Sequence, residues 1–216
     1  MGPKGTHKII SELINQLKSR QTPQERKEYL IDFPGFKNVF KRDIEINAEI
    51  NIEISQEQET IVLNADKPYK KLADLFTQLI SKIANNKYDF DILYVYLPQN
   101  WYPTFECKAD EDFDLHDYIK ALCVGYGIPT QIIRENKSLQ YPCQCSVMWH
   151  LGIATYSKIT GVPWKLAQMS PDTAYIGMSY ALRNNREKSK FVTCCSQVFD
   201  AEGSGMEFVA YETSDF

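Results

Sequence analysis

The sequence predicts an α/β protein: a doubly wound layer in the middle of the chain, followed by an antiparallel meander. Two short, almost unbroken runs of strand-forming apolar residues alternate with amphipathic helical stretches, the rhythm of parallel strands covered on both faces. Before them, "IEINAEINIEI" alternates strictly between apolar and polar residues, which marks half-buried, edge-like antiparallel pairing. At the end, three strand-like runs succeed one another without an intervening helix.

The chain opens with "THKIISELINQLKSR", where Ile9, Ile10, Leu13, Ile14 and Leu17 recur at helical spacing behind Thr6 as the expected cap. "FPGFKNVF" then places a Pro-Gly turn between aromatics, ahead of the alternating stretch. "YKKLADLFTQLISKIANN" is a helix, and "FDILYVYLP", from Phe90 to Pro98, is the first buried strand. "FDLHDYIKALCVGYG" is a helix capped by Asp112 or Asp114 and stopped by Gly125 and Gly127. "IPTQII" is the second buried strand, and "CSVMWHLGIATYSKITG" a third helix ending at Gly161, with Pro163 beyond it. The runs "TAYIGMSYAL", "KFVTCCSQVFD" and "MEFVAYET" complete the meander, joined by "RNNREKS" and "AEGSG". Three strands with no covering helix read as the start of another layer, incomplete or completed by a partner.

At 216 residues, 44% hydrophobic and 24% charged, the chain buries enough apolar surface to order itself. No apolar window approaches the roughly 20 residues of a membrane span, and the interrupted N-terminal run is too short for a signal peptide, so the expectation is a cytoplasmic protein without membrane contact. The cysteines, Cys107, Cys123, Cys143, Cys145, Cys194 and Cys195, fall as C-x-C and C-C rather than paired C-x-x-C and read as reduced apolar fillers.

A net charge of −4 argues against coating nucleic acid by bulk electrostatics, yet Leu115–Lys190 carries nine Lys and Arg against four Asp and Glu. A locally basic middle fits a focused anion site, and charge alone fits merely uneven surface charge better. Leu115, Ile119, Leu122 and Tyr126 form one face of their helix, and His116 and Lys120, also four apart, stand one above the other at its edge. Taken singly, each candidate also has an ordinary structural role. His116 serves as a surface residue, Lys120 as a solvated charge, Gln131 as a strand-starting polar residue and Lys158 as a last-turn cation. No dinucleotide, NTP-loop, nucleophile-elbow or H-E-x-x-H motif is present.

The series His116-x-x-x-Lys120, "GIPTQIIRE", "MWHLGIATYSKITGVPWKLA" and "DTAYIGMSYAL" resembles the MID domain and the start of the PIWI domain of prokaryotic Argonautes, closest to the short type. "FPGFKNVF" and "TCCSQVFDAEGSGMEF" look like the flanking segments of that group, so the resemblance runs from about Gly5 onward. It implies a Rossmann-like MID domain followed by the first strands of an RNase H-like PIWI domain. The expected division is 1–85 as a helical and strand segment leading into MID, 86–168 as MID, and 169–216 as an incomplete PIWI start.

Members of that family hold the 5′-phosphate of a guide strand with a Tyr or His, a Lys four residues later, a Gln on the following strand and a second Lys on the next helix. Here those positions match His116, Lys120, Gln131 and Lys158, with Arg134 a weaker candidate for the adjacent guide backbone. The resemblance also implies Mg²⁺ at the guide phosphate, with part of its site outside this chain. The first metal-binding Asp of cleaving members falls at Met178 or Ser179, where no carboxylate stands, so target cleavage is not expected. The implied partners are a single-stranded guide, RNA or DNA, target nucleic acid through the guide, and an effector protein in prokaryotic defence. The alternative is a protein-interaction module that docks an effector and carries a vestigial phosphate site.

Overall fold

The computed structural model describes residues 1–24, 30–107, 113–135, 139–165, 167, 170, 172–185 and 188–212. These divide into two compact units, Met1–Gly161 and Val162–Phe216. In chain order the first holds β1 (Gly2–Pro3), α1 (Thr6–Lys18), α2 (Phe36–Phe40), β2 (Glu53–Ile54), α3 (Gln56–Leu63) and α4 (Pro68–Ala84). There follow β3 (Leu93–Leu97), a 3-10 turn (Gln99–Thr104), β4 (Glu106–Cys107), β5 (Phe113–Asp114), α5 (Leu115–Gly125), β6 (Thr130–Arg134) and α6 (Gln144–Lys158).

The centre of this unit is the parallel pair β3–β6, in register from Leu93 opposite Thr130 to Leu97 opposite Arg134. Met1 lies along the other edge of β3: its amino group donates to the Tyr94 carbonyl at 2.7 Å, and the Tyr96 N–H donates to the Met1 carbonyl at 2.9 Å. Side chains alternate across a strand, and both faces are covered. Leu93, Val95, Leu97 and Ile132 pack with Phe76 and Ile80 of α4 and Leu115 and Ile119 of α5. Tyr96 and Ile133 face the other way, toward Leu13 and Leu17 of α1, Phe33, Phe36, and Met148 and Leu151 of α6. Two covered faces are why these strands read as nearly continuous apolar runs. The α/β class is as the sequence predicts.

Several local expectations are corrected. Thr6 does not cap α1; its hydroxyl donates to the Pro3 carbonyl at 2.6 Å. The exposed first-turn N–H groups find Glu53 instead, whose carboxylate accepts from Gly5 at 3.1 Å and His7 at 3.2 Å. A residue remote in sequence thus does the work of the local cap. Of "IEINAEINIEI", only Glu53–Ile54 is strand, and it pairs in parallel with β1 rather than antiparallel. Residues 42–47 belong to no helix or strand and pair with no strand among the described residues; Ile44 and Ile46 are half-buried and Asp43 and Glu45 exposed, so the alternation reports burial and not pairing. The sequence reading passed over α3, which begins at a capping box: Gln58 N–H donates to the Ser55 hydroxyl and Gln58 Oε1 accepts from Ser55 N–H, both at 3.2 Å. Helix α6 ends at Lys158, before Gly161. The Gly161 N–H closes back on the Tyr156 carbonyl at 2.8 Å, and a Cβ at Gly161 would sit 2.5 Å from that oxygen, so only glycine fits.

The second unit is the expected meander: β7 (Tyr175–Asn185), β8 (Lys188–Phe199) and β9 (Gly205–Glu212), successively antiparallel. The β8–β9 turn is held by the Asp200 carboxylate, which accepts from the N–H groups of Glu202 and Ser204 at 2.9 and 2.8 Å. Met178 and Ser179 stand on β7 opposite Ser196 and Cys195. No helix among the described residues is long and apolar enough to cross a membrane.

Phe33 links the start of the chain to α6: it is fully buried, edge-on to Trp149 at 5.2 Å. Phe33→Ala should lower unfolding free energy by about 3–5 kcal/mol, read as a fall in the urea midpoint with unchanged m value. A loss under about 1 kcal/mol would remove this ring from the core.

Candidate nucleic-acid interface

Asp114 is the cap of α5: its carboxylate accepts from the Asp117 N–H at 3.1 Å. Asp112, the other sequence candidate, lies outside the described residues. Leu115, Ile119 and Cys123 are buried, which fixes the rotation of the helix and leaves His116 half-buried and Lys120 exposed, one turn apart at its rim. The helix stops at a left-handed glycine, Gly127 with φ +69°, and the Ile128 N–H returns to the Cys123 carbonyl at 2.9 Å. The chain then enters β6, which is the edge strand of its pair among the described residues.

On that edge two groups of side chains separate. Toward the start of β6, the Lys158 ammonium donates to the Thr130 carbonyl at 2.6 Å and to Gln131 Oε1 at 2.7 Å. The Gln131 amide nitrogen donates in turn to the Ile132 carbonyl at 3.0 Å. Burial, and then the charge of Lys120, hold the Lys158 ammonium below the usual lysine range. Gln131 and Lys158, 27 positions apart, are therefore in contact, and Lys120 lies near enough for its charge to act on the Lys158 ammonium. Neither lysine has an ion pair among the described residues. An ammonium has three donors and a primary amide two. With two and one of these spent, Lys158 and Gln131 each keep one for a ligand.

The second group lies around the first turn of α5. His116 Nδ1 is 3.0 Å from Asp117 Oδ1, and the Arg134 guanidinium, at the other end of β6, is 3.9 Å from Asp114 Oδ1 and stacked over Phe105 at 5.4 Å. His116 and Arg134 thus both have a carboxylate neighbour, which the two lysines lack. Ligand atoms of Asp114, His116 and Asp117 lie within 4.8 Å of one another. Magnesium is held by one or two carboxylates with phosphate oxygens completing its shell, so two carboxylates and an exposed rim fit that ion, while the imidazole is a poorer ligand for it. Sequence reasoning overlooked these two aspartates as site residues, although "FDLHDY" displays them in the first turn. Beside Gln131 a cleft of about 380 Å³ opens, lined also by Tyr141, Ser146, His150 and Ala154.

No family model matches the sequence. The Protein argonaute of Cereibacter sphaeroides (strain ATCC 17025 / ATH 2.4.3) is 36% identical over 112 residues, a match covering 46% of this chain and 14% of the relative. Among solved structures, Aa-Ago with externally bound siRNA aligns at 21% identity and TM-score 0.45 over 67% of this chain and 20% of that one. Argonaute of A. aeolicus aligns at 17% identity and TM-score 0.44 over 94% of this chain and 28% of that one. Over the matched stretch the chain is Argonaute-like, and that stretch covers 14% of the length of the curated relative.

A depressed lysine pKa has a definite sign in stability. Between the folded-state pKa of Lys158 and the ordinary 10.5, the unfolded chain binds more protons, so stability gains with rising pH from this residue. Tyr94 and Tyr96, pushed up to about 12 chiefly by burial, act oppositely and lose stability above about 10, where the unfolded phenols ionise. Urea denaturation along an alkaline pH series should therefore show a rising contribution present in the natural chain and missing from Lys158→Met, taken as the difference between the two. Parallel curves would mean that Lys158 is solvated.

Proposed function

We propose that this chain is the guide-end-binding part of an Argonaute: a MID domain, expected over 86–168, that grips the 5′-phosphate of a single-stranded guide, with the PIWI start at 169–216. Lys120, Gln131 and Lys158 bind the phosphate, His116 borders it, and Arg134 meets the adjacent backbone. The single observation that carries this reading is the contact of Lys158, which has no carboxylate partner among the described residues, with an amide that keeps a spare donor, where the charge of Lys120 is also felt. Such an arrangement is unfavourable alone, because the ammonium is desolvated and beside a like charge, and a phosphate relieves both costs. The cleft beside Gln131 gives the first nucleotides room.

A bound Mg²⁺ would neutralise phosphate charge next to Asp114 and Asp117, which otherwise repel it. The residues at Met178 and Ser179 offer no carboxylate ligand for target cleavage, which supports a binding role in which a guide finds target nucleic acid by pairing and an effector protein acts. The setting proposed is the bacterial cytoplasm, in defence. The similarity to the Argonaute of C. sphaeroides supports the guide-binding reading, as does the order of the motifs.

Fluorescence anisotropy with one short RNA, carrying a 5′-phosphate or a 5′-hydroxyl, tests the pocket. The phosphate should be preferred, and Lys120→Ala should erase about 1.5–3 kcal/mol of that preference, roughly ten- to a hundredfold. Chelator should weaken the phosphorylated strand more than the hydroxyl strand. Equal affinity for the two ends would sink the assignment.

A further inference from the structure

A second cavity, of about 440 Å³, lies at the N-terminal end of β3, within the first unit and away from Lys120 and Gln131. Its floor is aliphatic, including Ile10, Ile14, Ile44, Ile46, Ile50 and Ile92. Asp43, Glu45, Asp89 and Asp91 stand at its rim, all exposed, and no Lys or Arg among the described residues lines it. Asp43 is engaged by Lys37 at 2.8 Å and Asp89 by Asn86 at 3.3 Å, whereas Glu45 and Asp91 have no partner among the described residues. One wall is the segment 42–47, which belongs to no helix or strand and in which half-buried Ile44 and Ile46 alternate with exposed Asp43 and Glu45; residues 42–46 make no backbone hydrogen bond to other backbone among the described residues.

We propose that this cavity docks an extended segment of a partner polypeptide in which Lys or Arg alternates with aliphatic residues. The three features select that occupant together. Backbone without partners, in a segment whose side chains alternate in burial, is completed by an added strand, since main-chain groups need partners when water is excluded. Alternation in the added strand sends every second side chain one way, so the aliphatic set enters the floor while the cationic set reaches Glu45 and Asp91. The volume lies within the roughly 300–1,000 Å³ of ordinary binding pockets. A nucleic acid is repelled by the carboxylates. A lone small cation would leave both the aliphatic floor and the open backbone unused. The proposal is independent of the phosphate site, because none of its residues belongs to that site.

The test uses the full chain and a labelled peptide of about eight residues alternating Lys with Val or Ile, followed by fluorescence anisotropy at low salt. Saturable binding is expected, with none for the same peptide carrying Glu in place of Lys. The exposed double change Glu45→Gln with Asp91→Asn should weaken binding about tenfold without lowering the melting temperature. N-methylation of alternate peptide amides, which blocks strand addition and keeps every charge, should weaken it comparably. Ile46→Lys should abolish it. Unaltered affinity in the double variant, or for the N-methylated peptide, overturns the proposal. So does displacement of the peptide by spermidine at equal concentration, which would assign the cavity to small cations, and so does the absence of saturable binding.

Discussion

Tyr94 and Gln131 stand opposite each other in the β3–β6 ladder, and each holds one residue of the last turn of α6. The Tyr94 hydroxyl is 2.6 Å from that of Thr155, and Gln131 Oε1 accepts from Lys158 at 2.7 Å. Two neighbouring strand side chains thus fix two helix residues three apart, which sets both the rotation and the height of the helix end over the sheet. Met148 and Leu151, buried further back along α6, supply the packing energy, about 1.5–3 kcal/mol each. The polar pair decides where that energy places a charge. With the phenol of Tyr94 pushed up to about 12 by burial, this clamp keeps its proton throughout the neutral range.

The electrostatic pattern follows from the same ladder. β6 runs antiparallel to the helix before it, so the cap of α5 lies near Arg134 at one end of the strand, where the 3.9 Å approach to Asp114 is found, and Lys158 meets the strand at Thr130, the other end. Carboxylates gather at the cap because free N–H groups and the positive helix end favour them. Cations without acids gather at the other end. A surface pair of opposite charges contributes about 0–1 kcal/mol and calls for no ligand. The Lys158 ammonium is a different matter, since burial and then the charge of Lys120 penalise it and no carboxylate among the described residues pairs with it.

Much of the architecture was legible in residue order. The apolar runs at Leu93–Leu97 and Thr130–Arg134 are covered on both faces, and the spacing of Leu115, Ile119 and Cys123 orients α5. What was not legible depends on residues remote in sequence. Nothing near Thr6 says that Glu53 will serve the first turn of α1. Strict alternation at Ile44 and Ile46 describes a half-buried segment, and whether a neighbour pairs with it is settled elsewhere in the fold. The capping box at Ser55 was a local signal passed over. At the site, the spacing of His116 and Lys120 showed that they share a helix edge, and the expectation of a phosphate came from the family resemblance; the tie of Lys158 to Gln131 required the fold, because 27 positions separate them.

The last turn of α6 serves two surfaces at once. Thr155 and Ile159, four apart, line the acid-rimmed cavity, while Lys158 between them turns toward the edge of β6. Residues four apart share a helix face and a residue three along from the first is displaced by about 60°, so a single turn can present an aliphatic wall to one side and a cation to another. The two surfaces have opposite sign, and each excludes the ligand of the other: carboxylates repel a phosphate backbone, and the lysines repel a basic peptide. Tyr94 lines the cavity and bonds Thr155, so the clamp that places the end of α6, and with it Lys158, also forms part of the cavity wall.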